Sequence, residues 1–99
     1  MAERESWGRL RGRRMSEPGA EEAYEATRLA FELGASVRSM RERRGWTQAR
    51  LADAAGMTQP AVARFEAGGT IPTLQVLERL ARALDARLEV RLRPGSSAA

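Results

Sequence analysis

The sequence predicts an all-α domain with one short β-strand near its C-terminal end. Three patterns support this prediction. Apolar residues recur at three- and four-residue spacings along most of the chain, as they do on one face of an α-helix. The phrase WTQARLA at residues 46–52 returns as MTQPAVA at residues 57–63, with Gly56 between the copies. Apolar and charged residues then alternate over residues 86–92, which is the period of a strand.

Composition limits the possible functions. The 99 residues suffice for one small domain, and the chain contains neither Cys nor His. This excludes disulfides, thiolate nucleophiles and histidine bases, and the remaining residues form no recognisable catalytic constellation. No apolar run resembles a signal peptide or approaches the roughly 20 residues of a membrane span. We therefore expect a cytoplasmic protein that is not an enzyme, needs no cofactor or metal and has no membrane partner.

The charge changes sign along the chain. All 17 basic residues are arginine, and the net charge is +4. Residues 1–15 carry five arginines and two glutamates, whereas residues 16–35 carry one arginine and five glutamates. The rest of the chain is basic again. This order indicates two surfaces with different partners, and nucleic acid suits the basic one.

The first half of the chain predicts a basic flexible tail followed by helix. The tail covers residues 1–17, and an acidic helix follows at about residues 18–34. Gly34 leaves open whether residues 18–44 form one helix or two. Gly45 ends this region behind several arginines, which suit a helix C-terminus. The apolar stripe of the region consists of Ala26, Leu29, Ala30, Leu33, Val37 and Met40.

The repeated phrase predicts two capped helices joined by a turn. Thr47 and Thr58 are good N-cap residues, because a threonine hydroxyl accepts a hydrogen bond from a backbone N–H in the first turn. In each copy the residue before threonine can pack against an apolar residue four positions into the helix, a hydrophobic staple. With Gly56 permitting a tight turn, residues 48–66 therefore form a helix-turn-helix. The two staple pairs are Trp46 with Leu51 and Met57 with Val62.

The C-terminal part predicts one more helix and the strand. Thr73 caps a helix at about residues 74–84, and residues 93–99 form a disordered tail. The strand at residues 86–92 needs a partner, since its edge N–H and C=O groups are otherwise unpaired. We favour the same strand of a second chain, antiparallel about a two-fold axis. Pairing with the N-terminal tail, or a frayed helix, is the alternative. The apolar residues of this dimer strand are Leu88, Val90 and Leu92.

Two glutamines occupy equivalent positions in the repeated phrase. Gln48 and Gln59 each begin a helix, where a glutamine alone is simply a tolerated polar residue. Their paired occurrence in a helix-turn-helix favours DNA contact instead. The second helix of such a motif enters the major groove, so Gln59 can bond adenine through N6 and N7. Gln48 can bond a phosphate oxygen and set the register.

Residues 33–84 resemble the Cro/repressor-type, or XRE, family of helix-turn-helix proteins. The shared pattern is Gly-apolar-Thr-Gln, Leu-Ala, Gly, Thr-Gln, Glu-x-Gly and a Pro before a Leu-rich helix. This resemblance implies a five-helix, lambda-repressor-like domain that binds a two-fold symmetric double-stranded DNA operator as a homodimer. Here it would carry an added N-terminal helix.

The resemblance also implies site residues. Base contacts would come from the start of the recognition helix, where Pro60 departs from the polar residue that the family often has. Arg41 and Glu66 would form a structural salt bridge and not touch DNA. The base-contacting residues implied are Thr58, Gln59, Pro60, Ala63 and Arg64, and the phosphate-contacting ones are Thr47, Gln48, Gly69 and Thr70.

The flanking segments resemble Hig-type antitoxins. These segments are EEAYEATRLAFELG before the motif and LDARLEVRL after it. The resemblance implies a repressor of its own operon that also binds an RNase toxin. Such a toxin is expected to be basic, and the acidic helix would complement it; the alternative is that its glutamates simply form a solvated face. An autonomous repressor, or a protein-bridging module with little specific DNA binding, are the other hypotheses.

Overall fold

The computed structural model describes residues 19–95, which contain four helices. They are α1 (Ala20–Arg43), α2 (Gln48–Ala55), α3 (Gln59–Glu66) and α4 (Leu74–Ala83). The fold class is all-α. The described residues contain four helices, whereas the resemblance implied five helices and an added N-terminal helix. None of these helices has the length and apolar content needed to cross a membrane. The predicted basic tail at 1–17 and the last four residues of the predicted C-terminal tail lie outside the described residues.

Helix α1 runs unbroken through Gly34, so the question of one helix or two is answered by one, and the predicted acidic helix at about 18–34 is its first part rather than an added helix. Gly34 is buried where α1 crosses the C-terminal end of α3. A Cβ atom added there would overlap the carbonyl oxygen of Phe65 and lie 2.9 Å from that of Glu66. Glycine is disfavoured inside a helix by about 1 kcal/mol relative to alanine. Close packing of the two helices, and not a helix break, accounts for its presence.

The three predicted threonine caps are confirmed. The hydroxyl oxygens of Thr47, Thr58 and Thr73 accept hydrogen bonds from the backbone N–H three residues later, at 3.1, 3.2 and 3.1 Å. Gly56 ends α2 in the left-handed conformation, with φ of 66°. That conformation turns the chain directly into the cap of α3, as the repeated phrase predicts.

The core lies where α2, α3 and α4 meet. Four large side chains there are almost completely buried: Leu51, Val62, Phe65 and Leu80. Trp46 and Met57, the residues before the two caps, are partly buried against this cluster. The staple residues thus belong to the core, and the short α2 and α3 depend on it because isolated helices of this length are marginal in water.

Arg79 of α4 holds the turn between α2 and α3. Its Nε donates a hydrogen bond to the carbonyl oxygen of Ala55 at 3.1 Å, and a terminal nitrogen donates to that of Gly56 at 2.6 Å. These are carbonyls at the C-terminal end of α2, which the helix itself leaves without partners. The guanidinium charge also suits that end of the helix dipole.

We expect Arg79→Met to lower the free energy of unfolding by about 2 kcal/mol, because it removes two charge-assisted hydrogen bonds. Arg82→Met is the matched control, since Arg82 lies on the same helix and pairs with Glu78 on the exposed surface. Urea denaturation followed by circular dichroism measures both variants. Equal losses in the two variants would contradict this role of Arg79.

Residues 86–95 form neither helix nor strand, so the predicted strand at 86–92 is absent from the single chain. Leu88 packs against the core, but Val90 and Leu92 are 64% and 96% exposed. Alternation of apolar residues provides two different faces, whereas a strand also requires a hydrogen-bonding partner for its backbone. The described part of the chain offers no such partner to this segment.

Candidate nucleic-acid interface

The N-termini of α2 and α3 lie side by side on one surface of the domain. Their first residues touch, with Nε2 of Gln59 donating a hydrogen bond to Oε1 of Gln48 at 2.8 Å. The contact joins residues eleven positions apart, the spacing of the two copies of the repeated phrase. The short turn at Gly56 makes this possible, because it brings the two caps to the same side.

The first turns of α3 are open to solvent. Thr58, Gln59, Pro60 and Arg64 are exposed, and Ala63 is half-buried. The hydroxyl oxygen of Thr58 accepts the cap hydrogen bond of α3, and its methyl group offers an apolar contact. This face therefore presents one amide, one guanidinium and small apolar groups, which are the groups that read base edges in a major groove.

Arg41 and Glu66 form a buried, bidentate ion pair behind this surface. Nε of Arg41 lies 2.7 Å from Oε2 of Glu66, and a terminal nitrogen lies 3.0 Å from Oε1. The remaining terminal nitrogen donates to the carbonyl oxygen of Trp46 at 2.6 Å. The hydrogen bond with Glu66 raises the pKa of Arg41 above its already high ordinary value, against the opposing effect of burial. The side chains are only 10% and 2% exposed, so this pair ties α1 to α3 and does not reach the surface.

The ion pair is connected to the surface through Gln48. Its Nε2 donates a hydrogen bond to Oε1 of Glu66 at 3.1 Å, while its Oε1 accepts from Gln59. Arg41, Glu66, Gln48 and Gln59 thus form one continuous chain of hydrogen bonds, called the polar network below. Sequence reasoning assigned these residues to three separate roles and did not connect them. The only signal in the sequence was the pair of equivalent glutamines.

The residues proposed to contact phosphates differ in what they can donate. The Thr47 hydroxyl accepts from the backbone N–H of Arg50, and its own hydrogen can still be donated outward. The backbone N–H of Gly69 already donates to the carbonyl of Arg64 at 2.9 Å. In the loop after α3, the partly buried Thr70 is therefore the better candidate for a side-chain contact.

Two further arginines flank the N-terminus of α2, and sequence reasoning missed them. The guanidinium carbons of Arg44 and Arg50 lie 4.6 and 5.0 Å from the centre of the Trp46 ring, in cation–π contact. Arg44 also donates to the carbonyl of Leu84 at the end of α4. Arg50 is exposed and adds positive charge beside Thr47, so it is a further candidate for phosphate contact. Its place in RERRGWTQAR, a run rich in arginine, was the available signal.

Comparison with known proteins identifies the class to which this arrangement belongs. A family model described as helix-turn-helix matches residues 37–90, just over half of the chain, and the chain belongs to this family.

A curated relative is the HTH-type transcriptional regulator SutR of Escherichia coli (strain K12), which is 30% identical over 70 residues. The match covers 71% of this chain and 39% of SutR, so the chain spans about two fifths of the length of this relative. No solved structure shows a significant match.

Proposed function

We propose that this protein is a sequence-specific DNA-binding regulator of transcription. The observation that carries the proposal is the contact between Gln48 and Gln59, which places the starts of both helices on one surface. With α3 in the major groove, Gln59 and Arg64 face base edges while α2 abuts the sugar-phosphate backbone. The name of the SutR relative supports a regulatory role.

The individual roles follow from the chemistry of each side chain. Gln59 bonds adenine, and Arg64 bonds guanine or a neighbouring phosphate. Pro60 and Ala63 offer apolar contact to thymine methyl groups. Phosphate contacts come from Gln48, Thr47, Arg50 and Thr70. Gly69 lies beside Thr70 in the loop after α3, and its backbone N–H already donates to Arg64.

We infer that the DNA-binding form is a homodimer on a two-fold symmetric operator. Val90 and Leu92 are exposed, and residues 87–92 pair with no strand within the described residues, which supports pairing with the same segment of a second chain. Two recognition helices would then enter successive major grooves, about 34 Å apart. Sedimentation velocity of the full chain and of a Leu92→Arg variant tests this inference: a dimer that the substitution weakens supports it, and a monomer at micromolar concentration contradicts it.

The protein is expected to bind DNA upstream of its own gene and repress that gene. The Gln59→Ala variant is expected to lose about 1–3 kcal/mol of binding free energy at one base position. Fluorescence anisotropy with DNA from immediately upstream of the gene, and with scrambled DNA, measures this at two salt concentrations. Because Gln59 reads a base and not a phosphate, the salt dependence should change little.

Gln75→Ala is the matched control for this experiment, because Gln75 is an exposed glutamine on α4. Equal weak binding to both DNAs, unchanged by Gln59→Ala, would contradict specific recognition. It would favour a protein-bridging module instead.

A second proposed role is binding of a basic protein, such as an RNase toxin, by the first half of α1. Leu29 and Phe31 are 48% and 60% exposed on the same helix as the exposed Glu21, Glu22 and Glu25, of which Glu25 pairs with Arg28, so the helix offers apolar and acidic groups together. Coexpression with the product of the adjacent gene, followed by size-exclusion chromatography, tests this role. A salt-sensitive complex that Leu29→Ser disrupts without loss of DNA binding supports an antitoxin; the absence of a complex contradicts it.

A further inference from the structure

We propose that Glu66 determines which base Gln59 prefers, by fixing the direction of the two side-chain amides that lie between the ion pair and the surface. The proposal deepens the DNA-binding function and rests on it. Glu66 is almost fully buried and does not reach DNA, so it acts as a positioning residue through Gln48.

The carboxylate of Glu66 fixes the direction of the Gln48 amide. A carboxylate can only accept hydrogen bonds, and both oxygens of Glu66 accept from Arg41. Gln48 must therefore turn its nitrogen, not its oxygen, toward Oε1 of Glu66, where Nε2 lies at 3.1 Å. The reverse orientation would place two oxygens against each other.

The amide of Gln48 in turn fixes the direction of the Gln59 amide. With the nitrogen of Gln48 facing inward, its Oε1 faces Gln59 and requires a donor, which is Nε2 of Gln59 at 2.8 Å. One hydrogen of that nitrogen is used in this contact. Gln59 therefore presents its Oε1 as an acceptor and its second N–H as a donor to whatever approaches α3.

The direction of the Gln59 amide affects which purine it can bind. An outward acceptor beside a donor matches adenine, which offers the N6 amino group and N7 in the major groove. Guanine offers two acceptors, O6 and N7, so it leaves Oε1 of Gln59 facing an oxygen. A freely rotating glutamine would tolerate both purines better. By fixing the amide direction, Glu66 thus makes Gln59 select adenine over guanine.

The network can be tested first without DNA. The chain contains three glutamines, Gln48, Gln59 and Gln75, and no asparagine, so its NMR spectrum has three side-chain carboxamide NH₂ groups. The signals of Gln48 and Gln59 are expected to differ from those of the exposed Gln75. In Gln48→Met, which leaves the ion pair intact, the Gln59 signals should move to the position of Gln75. Gln59 signals that already coincide with those of Gln75, or that do not respond to Gln48→Met, would overturn the network.

Base preference is the second test. Duplexes that carry adenine or guanine at the position most sensitive to Gln59→Ala are compared by fluorescence anisotropy. The unsubstituted protein should prefer adenine by roughly fivefold or more. Gln48→Met should bring the ratio to roughly twofold or less, whereas Gln75→Met should leave it unchanged. Glu66→Gln should have the same effect as Gln48→Met, and Gln48→Met alone carries the test if Glu66→Gln does not fold.

The outcomes separate the two levels of the proposal. Uniform weakening on both duplexes with an unchanged ratio would overturn the role of Glu66 and leave Gln48 only as a phosphate contact. No preference for any DNA in the unsubstituted protein, with the expected NMR shifts, would overturn the DNA-binding function and the base preference together, while the network itself would stand.

Discussion

Replacement of Arg41 by methionine is expected to lower the free energy of unfolding by about 3–5 kcal/mol, because it leaves a buried carboxylate without its cation. The side chain of Glu66 is 2% exposed and would keep only the weaker hydrogen bond from Gln48. A domain of this size is stable by roughly 5–15 kcal/mol, so the loss is a large fraction of the total. Urea denaturation monitored by circular dichroism measures it.

The control variants separate burial from charge pairing. Arg82→Met breaks an ion pair with Glu78 whose side chains are 79% and 62% exposed, and it should cost less than about 1 kcal/mol. The double variant Arg41→Met with Glu66→Leu should recover much of the loss, since it leaves no buried charge unpaired. A single variant Arg41→Met as stable as Arg82→Met would show that the buried pair contributes little.

Gly34→Ala is expected to lower the free energy of unfolding by about 3 kcal/mol, although alanine favours helix more than glycine does. The new methyl group would overlap the backbone at Phe65 and Glu66, and backbone cannot move aside as a flexible side chain can. Helices α1 and α3 must therefore separate. Thermal and urea unfolding of the purified variant provide the measurement.

Gly69→Ala is the matched control for this substitution. Its backbone is not in the left-handed region, and a new Cβ would lie 3.1 Å from Cγ and 3.3 Å from the carbonyl oxygen of Arg64, which are milder contacts than those at Gly34. We expect a loss below about 1 kcal/mol there. If Gly34→Ala were equally mild, or stabilising, close helix packing would not be the reason for glycine at this position.

Both substitutions act on the same contact, that of α1 with the C-terminal end of α3. Gly34 allows the two backbones to approach, and Arg41, two turns further along α1, binds Glu66 at the last position of α3. If either substitution weakens DNA binding, we expect it to lower the free energy of unfolding as well. The proposed DNA-reading surface therefore depends on a helix that lies outside the helix-turn-helix itself.

The helix-turn-helix could be predicted from the sequence because its determinants are local. Thr47, Thr58 and Thr73 cap helices through hydrogen bonds to groups three residues away, and Gly56 supplies a left-handed turn. These interactions involve a few neighbouring residues, so a pattern of letters suffices to identify them. The candidate glutamines followed from their equivalent places in the two copies.

Contacts between distant residues were decided only by the tertiary structure. The sequence alone does not show whether Gly34 breaks a helix or lets two helices approach. Only the position of α3 distinguishes these roles. Arg79 reaches carbonyls 23 and 24 residues earlier, and the polar network joins three helices. The strand predicted at 86–92 is absent from the single chain for a related reason. Alternation specifies the two faces of a segment, but a strand exists only where another backbone supplies its hydrogen bonds.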